Sequence, residues 1–360
     1  LMKTVMSIVG ARPQFVKAAP LSRTLRTRFR EILVHTGQHY DDNMSAVFFK
    51  DMGIPEPDFE LGIGSGTHAL QTGLMLEAIE RLLVREKPDC TLVYGDTNST
   101  LAGALASVKL QVPLAHVEAG LRSYNREMPE EINRVLTDHC ADFLFCPTDT
   151  AVQNLRKEGI EKGVFRTGDV MVDAARLFGE LSESRSVILK RLGLRKRAYV
   201  LCTIHRPSNT DERPALQSLL DALAQSGETV VFPLHPRTRK RMQDFGLLAG
   251  IEAHRDIRLT DPVSYLDMIS LERNARLICT DSGGVQKEAY VYRVPCITLR
   301  NETEWIETVE DGWNILTGLD SGRILDALRH FHPDHETRSR FGDGTASRTI
   351  CDLLAEELDA

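Results

Sequence analysis

Short runs of β-branched and aromatic residues alternate with longer stretches of helical apolar periodicity from one end of this chain to the other. That alternation is the pattern of βαβ units, in which a helix carries the chain back across the sheet and makes successive strands parallel. In the first half the spacing predicts strands at Thr4 to Val9, Ile32 to Thr36, Thr91 to Tyr94, Leu114 to Val117, Asp142 to Cys146 and Val164 to Thr167. In the second half it predicts Tyr199 to Thr203, Thr229 to Pro233, Ile257 to Leu259, Ala275 to Cys279 and Cys296 to Leu299. The fold class expected is α/β, with two Rossmann-like parallel-sheet domains of similar size.

A length of 360 residues accommodates two such units. The stretch from Glu180 to Arg197 is charged and weakly patterned, which puts the junction at about residue 172. The expected domains are thus 1–172 and 173–345, with a terminal segment, 346–360. Its helix follows Gly342-Asp343-Gly344, carries Ile350, Leu353 and Leu354 on its apolar side, and is expected to pack back on the first domain. Met44, Val47 and Phe48, at helical spacing, read as core.

Composition narrows the function. The chain is 42% hydrophobic and 26% charged, as in ordinary globular proteins, and its formal charge is −7 with no basic block interleaved with aromatics. No nucleic-acid partner is expected, and any bound anion must be gripped locally. Seven scattered cysteines (Cys90, Cys140, Cys146, Cys202, Cys279, Cys296 and Cys351) form no C-x-x-C pair and read as buried thiols of a reducing compartment. The chain enters a strand at once, without a basic and apolar leader, and no run approaches the roughly 18 apolar residues of a membrane span. A cytoplasmic location off the membrane is expected, and Leu1 ahead of Met2 reads as a numbering artefact or cloning scar.

In open parallel sheets ligands sit beyond the carboxyl ends of the strands, where helix N-termini and their free N–H groups gather. Gly10-Ala11-Arg12-Pro13 follows the first strand: the glycine permits a sharp exit, Pro13 suits the first helical turn, and Arg12 with Lys17 offers positive charge for a phosphate or carboxylate. A plain strand-to-helix turn with a surface arginine explains the same residues. Thr280-Asp281-Ser282-Gly283-Gly284-Val285-Gln286-Lys287-Glu288 follows a second-half strand. Ser282 can donate to a phosphate oxygen, Gly283 and Gly284 admit close backbone approach, and Glu288, about one helical turn on, suits the two hydroxyls of a ribose. An N-capped helix explains the serine and glycines but not their combination with Arg12. Neither loop matches the dinucleotide or nucleotide-hydrolysis words.

Three acidic groups also follow strands: Asp96 in Gly95-Asp96-Thr97, Glu118 in His116-Val117-Glu118-Ala119-Gly120, and Glu130 in Pro129-Glu130-Glu131. Asp96 can simply precede a helix cap, and Glu130 can serve the helix dipole and pair with Arg134. Glu118 is harder to explain away, because a carboxylate after an apolar strand is costly without a partner or a task. Carboxylates converging on one cleft split each other's pKa values, so that one acts as acid while another acts as base. His205-Arg206 and His235-Pro236-Arg237 close two strands of the second half. His235 alone reads most simply as a satisfied polar core residue, whereas Arg206 makes the His205 loop a cationic lip. No histidine or acidic spacing fits a metal, so none is expected.

Taken together these words resemble the non-hydrolysing UDP-N-acetylglucosamine 2-epimerases over nearly the whole chain: Gly10-Ala11-Arg12-Pro13-Gln14-Phe15-Val16-Lys17, Gly95-Asp96-Thr97, His116-Val117-Glu118-Ala119-Gly120-Leu121-Arg122, Pro129-Glu130-Glu131-Ile132-Asn133-Arg134, His205-Arg206 and Asp281-Ser282-Gly283-Gly284. The resemblance implies a GT-B-like pair of domains with an active-site cleft between them, a UDP-sugar substrate, no cofactor, a homodimer and a role in polysaccharide biosynthesis. It implies Asp96, Glu118, Glu130 and His205 as catalytic positions and Arg12, Lys17, Ser282 and Glu288 as substrate and UDP positions. Arg206, His235, Gly283 and Gly284 join the binding set on their placement. The implied reaction interconverts UDP-GlcNAc and UDP-ManNAc by anti elimination of UDP and re-addition through a 2-acetamidoglucal. A hydrolysing epimerase, a GT-B glycosyltransferase and a non-catalytic UDP-sugar sensor are the rivals.

Within that family the closer resemblance is to the branch acting on UDP-2,3-diacetamido-2,3-dideoxyglucuronate, through His35-Thr36-Gly37-Gln38-His39-Tyr40-Asp41, Gly66-Thr67-His68, Tyr94-Gly95-Asp96-Thr97-Asn98-Ser99-Thr100 and Gly283-Gly284-Val285-Gln286-Lys287-Glu288. The substrate is therefore open between the two sugars. Pro207-Ser208-Asn209 lacks the glutamate that commonly precedes the asparagine in the family, and 302–307 lacks the Arg-Pro of many bacterial members. Asp41 replaces a glutamine of the bacterial allosteric pocket, so activation by substrate at a second site does not carry over.

Overall fold

The computed structural model describes residues 2–38, 49 and 53–359. His39, Tyr40 and Asp41 of one sequence word, and Met44, Val47 and Phe48 of the expected core, lie outside the described residues. Two compact units form, one of residues 1–174 with 339–360 and the other of residues 175–338.

The first unit is built on β1 (Thr4–Val9), β2 (Arg30–His35), β3 (Phe59–Glu60), β4 (Cys90–Tyr94), β5 (Leu114–Val117), β6 (Phe143–Cys146) and β7 (Val164–Arg166). They make a parallel sheet in the order β3-β2-β1-β4-β5-β6-β7. Helices on both faces explain why β1, β4 and β5 are apolar almost throughout rather than alternating. Met6, Ile8, Val34 and Val93 pack there with Met75 and Ile79 of the helix His68–Glu86 and Ala102 and Ala106 of the helix Asn98–Lys109. Gly103 lets the latter helix approach closely, since a Cβ there would lie 2.9 Å from Ile8 Cδ1. The terminal helix Ala346–Asp359 packs on the helix Arg12–Leu25; Arg28 pairs with Asp352 at 2.7 Å, and Asp173 accepts from the amides of Ala346 and Ser347 at 3.2 and 2.9 Å.

The second unit carries β8 (Val200–Thr203), β9 (Val230–Pro233), β10 (Ile257–Thr260), β11 (Leu277–Thr280), β12 (Cys296–Thr298) and β13 (Asn314–Leu316), parallel, in the order β10-β9-β8-β11-β12-β13. Val200, Phe232 and Cys279 form its core with Leu216, Leu219 and Leu220 of the helix Arg213–Gln225 and Ile324 of the helix Ser321–His330. Both sheets are doubly wound, and each reverses direction beside its central strand: between β1 and β4 in one, between β8 and β11 in the other. Such a reversal opens a crevice at the carboxyl ends of the two strands, because the connections leave toward opposite faces.

The strands expected from sequence all form, with ends moved by at most two residues. β3 and β13 are additions, and both lie at sheet edges. All seven cysteines are free, six of them buried and Cys140 half-buried. Among the described residues no helix is long and apolar enough to cross a membrane, and no group of histidines, cysteines and carboxylates is arranged to hold a metal ion.

Candidate active site

In the first unit the loops after β1, β4 and β5 meet at the reversal of strand order. Gly10 ends β1 where nothing larger fits, since a Cβ there would lie 2.0 Å from Ser99 Oγ and 2.2 Å from Thr36 Oγ1. Gln14, buried one turn into the helix Arg12–Leu25, accepts from the Gly10 and Ala11 amides at 2.8 and 3.1 Å. Its amide donates to the Tyr94 carbonyl at 2.7 Å and to Thr100 Oγ1 at 3.0 Å. One side chain thereby ties the exit of β1 to the exit of β4. Gln14 belongs to a sequence word noted above, yet a neutral amide gave no signal of this bracing role. Arg12 is exposed at the start of its helix.

Lys17, on the same helix, forms a largely buried ion pair with Glu118. Gly95 sits beside the pair: a Cβ there would lie 3.3 Å from Lys17 Nζ and 3.4 Å from Glu118 Oε2. Glu118 directly follows β5 and has φ of +75°, a left-handed conformation that costs a non-glycine residue on the order of 1 kcal/mol or more. The Glu118 and Ala119 amides both donate to the Phe145 carbonyl at 3.1 Å. A carboxylate in strained backbone, 7% exposed and paired with a lysine, is held in one place by its surroundings.

Asp96 accepts from Arg134, and its carbonyl accepts from Asn133 Nδ2 at 2.9 Å. Both partners lie on the helix Pro129–Cys140. Arg134 pairs with Glu131 at 2.7 Å, so its partners are Asp96 and Glu131 rather than the Glu130 suggested by an i,i+4 spacing. Burial works against the guanidinium charge, but Asp96, Glu131 and Glu118 together hold its pKa above the ordinary value. Arg134 therefore feels both strand-end carboxylates. Glu130 is exposed in the first turn, and its carboxylate makes no hydrogen bond or ion pair among the described residues. Its i+3 and i+4 neighbours, Asn133 and Arg134, are the residues that grip Asp96, which puts Glu130 on the same helix face. Glu131 is the structural carboxylate: it accepts from the Ser123 amide and hydroxyl and from the Tyr124 amide, each at 2.9 Å. Burial alone raises its pKa, but these donors and Arg134 outweigh that and hold it low.

In the second unit Asp281, fully buried at the end of β11, gathers the loop after β8. Its carboxylate accepts from the His205 amide at 3.1 Å, the Arg206 amide at 2.9 Å and Asn209 Nδ2 at 3.0 Å. His205 Nδ1 lies 3.3 Å from the same group, which leaves the half-exposed ring presenting its Nε2 edge. The His235 ring is 5.7 Å from that of His205, centroid to centroid, and its Nδ1 accepts from the Arg237 amide at 3.2 Å, so His235 is an exposed helix cap rather than a core residue. Arg206 donates to the Asp281 carbonyl at 3.0 Å and lies 3.9 Å from Glu304.

Ser282 is the N-cap of the helix Gly283–Val291, but its hydroxyl makes no capping bond and has no partner among the described residues. Gly283 and Gly284 supply the first turn, whose amides have no intrahelical acceptor. Glu288 is buried and accepts from the Tyr265 hydroxyl at 3.0 Å; burial first, and then the Glu288 charge, pushes that phenol upward. Lys287 lies buried over the Trp305 ring, 3.8 Å from its centroid.

Two tandem doubly wound units with these strand-end loops define a GT-B-like α/β protein. The UDP-N-acetylglucosamine 2-epimerase family model matches residues 23–355. The chain is 53% identical over 352 residues to a UDP-N-acetylglucosamine 2-epimerase homolog of Methanococcus maripaludis, covering 97% of this chain and 99% of that one. It is 46% identical to the UDP-2,3-diacetamido-2,3-dideoxy-D-glucuronate 2-epimerase of Pseudomonas aeruginosa, covering 98% and 99%. The crystal structure of the Methanocaldococcus jannaschii UDP-GlcNAc 2-epimerase, in complex with UDP-GlcNAc and UDP, superposes with a TM-score of 0.89 at 42% identity, covering 98% and 99%. The chain belongs to the UDP-N-acetylglucosamine 2-epimerase family.

Proposed function

We propose that this protein interconverts UDP-N-acetylglucosamine and UDP-N-acetylmannosamine by eliminating UDP and adding it back after the sugar has become a 2-acetamidoglucal. The observation that carries the reading is the convergence, at one strand-order reversal, of Glu118 paired with Lys17 and Asp96 paired with Arg134.

The hydrogen on carbon 2 is not next to a carbonyl, so a base alone removes it too slowly. Breaking the anomeric C–O bond sends an electron pair to UDP and leaves an electron-poor carbon 1, which acidifies that hydrogen. A carboxylate of the first unit takes the proton as the C1–C2 double bond forms. Return of UDP to carbon 1 and protonation of carbon 2 on the opposite face complete the inversion, and atoms and electrons balance without a redox cofactor. Asp96 and Glu118, or Glu130, supply the two faces. Lys17 and Arg134 orient these carboxylates in the absence of substrate. For the diphosphate the second unit offers the Ser282 hydroxyl, which has no partner among the described residues, the Gly283 and Gly284 amides, the His205 ring and the Arg206 guanidinium; Glu288 suits the ribose hydroxyls, His235 flanks His205, and Arg12 is a cation that the first unit offers to an anionic substrate. A cytoplasmic homodimer supplying polysaccharide biosynthesis is the setting that fits this substrate.

The 46% identity to the diacetamidoglucuronate epimerase favours a second reading, in which the same chemistry acts on a 3-acetamido, 6-carboxylate sugar. Incubation with each UDP-sugar in deuterated water, followed by NMR, tests both. Label at carbon 2 with a mixture of epimers is expected. Free sugar points instead to a hydrolysing epimerase, acceptor-dependent turnover to a glycosyltransferase, and binding without turnover to a sensor. Asp96→Asn should abolish deuterium incorporation yet leave UDP binding largely intact; unchanged exchange refutes the role given to Asp96.

A further inference from the structure

Beneath the first unit's loops lies a buried polar pair that the proposed chemistry does not use. His116, on β5, and Asp138, on the helix Pro129–Cys140, are both essentially inaccessible to water. His116 Nε2 donates to the Gly95 carbonyl at 2.8 Å, since a carbonyl can only accept. Nδ1 of the same ring meets Asp138 Oδ1 at 2.7 Å. Asp138 Oδ2 accepts from the Gly120 amide at 3.1 Å and from Arg122 Nη1 at 2.7 Å, and Arg122 is anchored in turn by two 2.7 Å contacts to Glu158. Burial alone raises the Asp138 pKa, but His116 and Arg122 more than offset it, so the group is an ionised acceptor.

The two ends of this chain of contacts are informative. Gly95 precedes Asp96, and Gly120 lies two residues beyond Glu118. Both are in left-handed backbone, with φ of +62° and +80°, and so is Glu118 between them in the network at +75°. Backbone of that kind persists only where surrounding contacts over-determine it. The Gly120 loop has further ties: its carbonyl accepts from Asn154 at 3.0 Å, and the Glu118 amide is bound to Phe145. The Gly95 loop is tied through its amide, which donates to the Val117 carbonyl at 3.0 Å, and through Asp96, held by Asn133 and Arg134, while the Gly95 carbonyl accepts from His116.

We propose that His116 and Asp138 form a buried positioning pair that helps fix the loop carrying Asp96 against the loop carrying Glu118, with the His116 to Gly95 hydrogen bond orienting the Gly95 peptide. The inference rests on the epimerase reading for its kinetic consequence, but not for its structural one. Neither residue touches substrate. Their effect is on the distance between two carboxylates that must act on one carbon atom, where a displacement of about 1 Å costs on the order of a hundredfold in rate.

Two conservative replacements separate the links. In His116→Gln the side-chain amide reaches the place of Nε2 and keeps the Gly95 bond while losing Asp138. In His116→Asn it reaches the place of Nδ1 and keeps Asp138 while losing Gly95. His116→Asn should lower kcat about a hundredfold with KM within about threefold, and His116→Gln should recover most of that loss. Amide hydrogen exchange gives a readout independent of turnover: residues 95–97 should exchange at least about tenfold faster in His116→Asn than in His116→Gln, with β1 and β2 unchanged in both. Equal kcat in the two variants, or equal exchange at 95–97, overturns the proposal. If the wild-type protein epimerises neither sugar, the functional reading falls, while the exchange comparison still decides the positioning claim.

Discussion

The two sheets share a strand order but arm their reversal points in opposite ways. Between β1 and β4 the first unit holds charge of both signs: Glu118 against Lys17, Asp96 against Arg134, and a non-glycine residue in left-handed backbone. Between β8 and β11 the second unit buries the Asp281 carboxylate and uses it to collect N–H groups from the neighbouring loop. That arrangement leaves the Ser282 hydroxyl and the first-turn amides of the next helix unengaged. On the proposed function, one topology serves two chemistries. Where acids are held ready, the unit is equipped to move a proton; where donors are held ready, it is equipped to receive an anion.

If that division of labour holds, single substitutions should separate turnover from UDP affinity. The largest effect belongs to Glu118→Gln, which keeps side-chain size and removes the carboxylate charge. Epimerisation and carbon 2 exchange should fall about 10²- to 10⁴-fold by NMR, with UDP affinity by calorimetry within about threefold. A matching loss of UDP affinity would erase the contrast between the units. Next comes Asp281→Ala, which leaves three buried or half-buried N–H donors without their acceptor. Urea unfolding should show a loss of about 3 kcal/mol, accompanied by weakened UDP binding.

Glu131 sharpens the first unit's side of the comparison through pH. Its folded-state pKa is depressed, so its stabilising contribution is complete above the ordinary carboxylate range and disappears as pH falls through the lowered value. Glu131→Gln should therefore be less stable than wild type at neutral pH and show a shallower acid limb in denaturation across pH 3–5, roughly that range. Equal acid limbs would remove the role assigned to its Ser123, Tyr124 and Arg134 contacts. The smallest effect is that of Ser282→Ala. UDP affinity should drop about three- to tenfold, as for one hydrogen bond, and melting temperature should not move, because the hydroxyl makes no capping bond and has no partner among the described residues.

Much of the fold was legible because parallel strands buried on both faces leave continuous apolar runs. Thr4 to Val9 and Leu114 to Val117 were readable to the residue. Phe59–Glu60 and Asn314–Leu316 were not, since two or three residues at a sheet edge have no period to detect. At the site, residue types and their position after strands singled out Lys17, Asp96, Glu118 and His205, but not their partners. Arg134 illustrates the limit: spacing along the helix suggested Glu130, whereas packing gave it Asp96, which lies 38 residues away in the chain.

Local composition, strand by helix by strand, was enough to determine two parallel sheets and to place chemically capable side chains at their carboxyl ends, because periodicity and chain direction are properties of short segments. Which carboxylate met which cation, that Glu118 would adopt left-handed backbone, and that His116 would reach across to Gly95 were decided when distant segments packed. Those outcomes depend on desolvation and on contacts between segments far apart in sequence, and neither has a signature in any single stretch of residues.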